Sequence, residues 1–333
     1  MTWLTWRQFR GQAVAAVAAL AAFAVLLAAT GPHLARLYAA SGIPGCHGGA
    51  CGQLASNFLL GPAGKYVLVY LLGIGIIVLA PAVIGIFWGA PLVARELETG
   101  TFQLVWTQSI TRTRWLAVKL ALTGLAAMAV TEALSLMYGW WAAPLGQAAR
   151  FDPPPSPVPF GMNPLVFEVH GITPLGYAAF AFTLAVTAGV LIRRSVPAMA
   201  VTLAIFAAVQ IAVPHLVPPD RTVAAVSMAA APDVLAQPGS SGLPVLVGIV
   251  ARAVPGHPGA WIVSSGLVNA AGQPVSTLPA TCAPSQGPHQ FGGCLLSHGI
   301  RLAISYQPAR RYWPLQWTEA AILAALALAL AGY

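Results

Sequence analysis

The chain has 333 residues, 58% hydrophobic and 7% charged, with 16 basic and 8 acidic side chains and a net charge of +8. A soluble domain carries about 25% charged residues, so this chain lacks the polar cover of a water-facing surface and its bulk belongs in lipid. Nucleic acid is not indicated by the positive balance, because the bases are thinly spread at the ends of apolar runs and form no stripe.

A spanning helix needs about 20 mostly apolar residues. Arg7 and Arg10 precede an apolar run, Ala13–Thr30, in the manner of a secretory signal. The run exceeds the roughly 7–15 residues of a signal core, so a retained first span is expected, with Trp3 and Trp6 as interfacial anchors. The candidate spans are Gln12–Thr30, Tyr66–Leu92, Trp115–Trp141, Leu175–Ile192, Val196–Val217 and Trp317–Tyr333. Alanine forms helix well but is weakly apolar, so these boundaries are soft. No basic residue follows the last span, as in a shortened C-terminus. Gly85 and Gly89 in the second span, near Gly73, Gly75 and Pro81, form a GxxxG pattern that suits a packing face, with a kink.

Between spans lie two long connections of different character. Phe151–Pro164 is proline-rich and reads as stiff and extended. Pro218–Gln316 is long enough for a small domain. Its later part reads as strands: Trp261–Asn269, a turn over Ala270–Pro274, then alternating Ile300, Leu302, Ile304 and Tyr306. Tyr312, Trp313 and Trp317 then mark the return to the interface. The expected fold is an all-α membrane protein of six transmembrane helices. A small β-containing extracytoplasmic domain separates helices five and six. The expected division is residues 1–217 for the first five helices, with a cytoplasmic loop at 93–119, then 218–316 for the domain and 317–333 for the last helix.

Orientation follows from the bases. Arg7, Arg10, Arg95, Arg112, Arg114, Lys119, Arg193 and Arg194 fall in one set of connections, and the other eight in a set about four times longer. Basic residues mark the inside when counted over short loops, so the N-terminus is expected in the cytoplasm. Cys46, Cys51, Cys282 and Cys294 all fall in the opposite set. An even count on the oxidising side fits two disulfides rather than a metal site, although His47, His289 and His298 lie nearby. Three pairings are possible, and local closure, Cys46–Cys51 with Cys282–Cys294, is expected.

No nucleophile elbow, zinc-protease helix or dinucleotide fingerprint is present. GPAGKY at Gly61–Tyr66 fails as a phosphate loop, since Leu59 stands where the first glycine belongs and Tyr66 replaces Ser/Thr. No ATP or other cofactor is therefore expected on this chain. Glu132 is an acid deep within a span and a candidate for a substrate pathway, together with Gln210. Thr183 and Thr187 suit helix–helix contacts. Arg95–Lys119, RELETGTFQLVWTQSITRTRWLAVK, concentrates six of the chain's 16 basic and 8 acidic residues. Phe102, Val105 and Trp106 fall on one helical face there, apolar enough to enter a groove.

Glu96, Glu98, Gly100-Thr101, Ser109 through Arg112, and Lys119 resemble the loop after the second span in the membrane subunit of type-2 ATP-binding-cassette exporters. TWRQFR at the start is similar to the interfacial elbow helix of that class. The proline-rich loop, WIVSSGLVNAAGQPV and ISYQPARRYWPLQW look similar to actinobacterial permeases. The resemblance implies a permease that is not itself an enzyme, in a bacterial plasma membrane. It implies two permease subunits, identical or different, docked on two cytoplasmic ATPase subunits that bind ATP and Mg. The loop would be the coupling helix, with Glu96, Glu98, Gly100, Thr101, Phe102, Val105, Trp106, Arg112 and Lys119 engaging the ATPase. Export of a hydrophobic or amphipathic substrate is the expected activity. The large outer domain departs from the class and supports an alternative, a non-transporting mechanotransmitter or sensor that acts through that domain.

Overall fold

The computed structural model describes residues 2–47, 51–99, 112–151, 164–213, 220–224, 233–238, 244–250, 254, 260–275, 277–279, 281–282 and 288–332. In lipid every backbone N–H and C=O must be satisfied within the segment, so apolar runs of this length fold as helices. Among the described residues, six helices are long and apolar enough to cross a membrane.

The first, α1 (Thr2–Ala40), runs unbroken from the opening residues through the first span, so TWRQFR is continuous with that span rather than a separate elbow. A short 3-10 turn and the Cys46–Cys51 disulfide lead to α2 (Cys51–Leu60), a helix that hydropathy alone does not reveal. The second span consists of α3 (Val67–Ile84), a π-helical turn at Gly85–Gly89, and α4 (Ala90–Thr99). Pro81 sits just before that turn and lacks the N–H a regular helix needs. Pro91 has no N–H for the Phe87 carbonyl four residues before it, and that carbonyl accepts a bond of 2.8 Å from Gln12 Nε2 on α1.

Beyond the charged connection come α5 (Arg112–Ala148) and the short α6 (Pro164–Glu168), followed by α7 (Thr173–Ile192) and α8 (Ser195–Ala212). The last span is α10 (Tyr312–Gly332), which begins at the aromatic cluster rather than at Trp317. α7 is the hub: α3, the π turn, α4, α5, α8 and α10 all pack on it. Thirteen of its residues are buried, against three in α8, whose other faces are apolar and exposed. Close approach to α7 depends on small residues. A Cβ on Gly85 would lie 2.8 Å from the Ala181 carbonyl, and one on Gly89 would lie 2.7 Å from Ala185 Cβ. Gly189 of α7 meets α4 in the same way, 2.6 Å from the Ala90 carbonyl.

Between α8 and α10 lies the β-containing domain. β1 (Asp220–Ala224), β5 (Arg301–Gln307) and β4 (Trp261–Val268) form an antiparallel sheet in the order β1-β5-β4. β2 (Asp233–Pro238) and β3 (Pro244–Val250) pair separately. The expected alternation is realised, since Ile300, Leu302, Ile304 and Tyr306 are all buried. The β4 turn is held by Asn269 Oδ1, which accepts the N–H groups of Ala271 and Gln273, and Gly272 supplies the positive φ of 78°. A helix not foreseen, α9 (Pro288–Ser297), lays Phe291 and Leu295 onto this core and is tied by the Cys282–Cys294 disulfide. Both disulfides close locally, as expected.

Candidate functional site

Among the described residues, polar contacts between segments gather at both ends of the bundle. At the end away from the β-domain, α4 stops at Thr99 and α5 starts at Arg112. Gly100, Thr101, Phe102, Val105 and Trp106 lie outside the described residues. Glu96 and Arg112 are placed by their backbone, on α4 and at the first position of α5. Lys119 is buried on α5, where its carbonyl accepts Thr123 Oγ1 at 2.7 Å, so its ammonium is not displayed at the surface.

Glu98 turns toward the connection between α7 and α8. One carboxylate oxygen accepts the Ser195 N–H at 2.8 Å and the other accepts the Ser195 hydroxyl at 2.8 Å. The chain reverses there in two residues, with Arg193 left-handed at φ 56° and Arg194 extended at φ −136°, ψ 126°. That geometry presents the first N–H of α8, where a helix N-terminus favours negative charge. The Ser195 bonds, backbone before side chain, hold the Glu98 carboxyl below the usual carboxylate range, helped by Arg194 and Arg95.

At the other end, the segment after α6 folds into the bundle. Val169 is fully buried, and its carbonyl accepts Ser135 Oγ of α5 at 2.8 Å. Gln316 of α10 secures this segment with both ends of its amide. Its Oε1 accepts the N–H groups of Ile172 and Thr173 at 3.0 and 3.1 Å and the Thr173 hydroxyl at 2.7 Å. Its Nε2 donates to the carbonyls of Phe167 and His170, each at 3.0 Å. Gly171 adopts φ 73°, and a Cβ there would lie 2.6 Å from Gln316 Oε1.

One turn further along α10, Glu319 accepts the Tyr177 hydroxyl at 2.7 Å. Glu168 is buried nearby and accepts Gln210 Nε2 of α8 at 3.2 Å. Burial pushes the Glu168 carboxyl up to about 7, with the Glu319 charge adding and the Gln210 bond opposing. The structure thus gives Gln210 to Glu168. Glu132 is half-buried on α5, and among the described residues its Oε2 is buried with no hydrogen-bond partner. A carboxyl oxygen left without a partner in an apolar interior is costly.

These helices and their polar junctions lie largely within a stretch with known relatives. Residues 17–218 match the family described as ABC-2 membrane transporter related. The chain belongs to this family. No curated protein and no solved structure matches it. The family stretch runs from within α1 to just beyond α8, so Glu98, Glu132, Glu168, Ser195 and Gln210 fall inside it. Gln316, Glu319 and the β-domain fall outside. With its six apolar helices, this ABC-2-related chain is a multi-pass membrane protein of the transporter-permease type.

Sequence reasoning passed over Glu168, Tyr177, Gln316 and Glu319. Glu319 carried a usable signal, an acid just inside the last apolar run, of the same kind that singled out Glu132. Glu168 carried none, because it lies in a connection between spans and only the inward fold of residues 164–172 buries it.

Proposed function

We propose that this chain is the membrane-spanning permease subunit of an ATP-driven exporter of a hydrophobic or amphipathic substrate. Separate cytoplasmic ATPase subunits carry ATP and Mg, and a second permease copy, identical or different, completes the assembly. The setting is a bacterial plasma membrane, in an actinobacterium, with the N-terminus inside. One observation carries the reading. In an ABC-2-related chain, the charged connection between the second and third spans lies at the bundle end that also bears Arg193 and Arg194, away from both disulfides. Short basic connections favour the cytoplasmic side and disulfides the oxidising side, which supports that end as the one facing the ATPase.

Reconstitution tests this. An ABC ATPase subunit should co-purify with the chain, and its ATP hydrolysis in proteoliposomes should rise when the permease is present. Trp106→Ala should abolish most of that rise while the protein still inserts. Hydrolysis equal with and without the permease would defeat the proposal.

A second reading, mechanical transmission to or from the β-domain, has its own support. Phe167 touches Trp261 of β4 (ring centroids 6.4 Å apart) and Tyr312 of α10 (5.5 Å), which links the domain to the bundle. Glu132→Ala separates the two readings. Loss of substrate movement with ATPase docking retained supports transport, and full retention of ATPase-linked output supports transmission.

A further inference from the structure

The loop after the second span suits contact with a partner, yet Glu98, part of its charged run, is occupied within the chain. Its two oxygens take both donors of Ser195, the N–H and the hydroxyl. Charge-assisted bonds of this kind are stronger than neutral ones, and the pair joins the end of α4 to the start of α8. A second set of contacts binds the same helices. Ala90 of α4, Ala185 and Ala188 of α7 and Ala198 of α8 form one buried cluster, with Ile192 and Met199 packed against it. Gly189 admits the Ala90 carbonyl at a distance no side chain would allow.

We propose that Glu98 is a positioning residue that clamps α4 to α8, so that load from the 99–112 connection is delivered through α4 to the fifth span. The inference deepens the permease reading and rests on it for the source of the load. It reassigns Glu98 from a contact with the ATPase to a contact inside the permease. α4 and α8 are joined both by this contact and by the alanine cluster they share on α7.

Ser195→Pro is the cleanest probe. It removes both donors, yet proline is favoured at the first position of a helix, and Arg194 already has the extended backbone that a following proline requires. The full chain, in nanodiscs of phosphatidylethanolamine and phosphatidylglycerol, is followed by hydrogen exchange. Ser195→Pro and Glu98→Ala should each speed exchange in the last turn of α4 by about tenfold. A mere cap on α8 would leave α4 unchanged in Ser195→Pro. The double variant Glu98→Cys/Ser195→Cys should match the single variants when reduced and regain wild-type protection once oxidised, with wild type under the same reagents as control. Exchange in α4 within twofold of wild type in Ser195→Pro, or no recovery on oxidation, would overturn the clamp.

ATP hydrolysis by the co-reconstituted ATPase is the second readout. Stimulation by the permease should fall about fivefold in Ser195→Pro and return in the oxidised double variant. Unchanged stimulation in Ser195→Pro would overturn the transmitting role. Absence of stimulation by the wild-type permease would overturn the permease reading instead, and the exchange result would still decide the clamp.

Discussion

Gln316 has zero exposure and satisfies five polar groups of a segment almost 150 positions away in the chain. Replacing it with leucine strands those groups in an apolar interior. Each buried unsatisfied group costs about 1–3 kcal/mol, so Gln316→Leu should lose about 4 kcal/mol or more and lower the thermal midpoint in detergent by well over 5 °C. A midpoint unchanged from wild type would show that Gln316 does not hold the segment. Glu168 makes a prediction of opposite character. Its folded-state pKa is raised, so protonation favours the folded form. That stabilisation is complete below about pH 4.5 and is lost as pH rises through about 7. The loss is at most about 3 kcal/mol. The thermal midpoint should fall from pH 5 to pH 8 more steeply in the wild type than in Glu168→Gln. Parallel pH profiles for the two proteins would refute the assignment.

At the scale of elements, the contacts of α7 rest on what glycine leaves out. Alanine at Gly85, Gly89 or Gly189 would place a methyl group under 3.0 Å from neighbouring atoms, backbone carbonyls among them. A carbonyl on a helix cannot swing aside, so the helices must part. Each substitution should cost about 1–3 kcal/mol, read as loss of thermal stability in detergent. Gly75→Ala meets nothing within 4 Å and should be neutral or slightly stabilising, an internal control. Equal effects at Gly75 and Gly189 would contradict the packing. The six helices were legible because lipid forces long apolar runs into helix, and β4 and β5 because alternation reveals a half-buried strand. The π turn was not, since a kink at Pro81 and a wider helical turn leave the same residues in the sequence. α9 was hidden by Gly292 and Gly293, poor helix formers that the Phe291 and Leu295 contacts and the disulfide override. Within the candidate site, Glu132 could be singled out from one side chain in one apolar run. The Glu98–Ser195 and Glu168–Gln210 contacts could not, because each pairs residues from segments brought together only by the bundle.

At the scale of the whole molecule, the two ends answer to different constraints. The β-domain end is closed by covalent bonds, by Gln316 and by the Phe167 ring contacts, whereas the opposite end is held by the Glu98 pair and small-residue packing. Removing the Cys282–Cys294 bond with serines should cost about 2–4 kcal/mol. Hydrogen exchange should rise in β4, β5 and α9 but not in α7, and loosening that spread evenly through the bundle would show that the domain has no core of its own. The central place of α7 also has a consequence for the making of the protein. Its partner α10 is synthesised more than a hundred residues later, after the entire β-domain. Until then the Tyr177 hydroxyl has no Glu319 to bond, the Thr187 hydroxyl has no Leu330 carbonyl, and the segment from Phe167 to Thr173 has no Gln316. The newborn bundle therefore waits, open along one side of α7, until α10 arrives to close it.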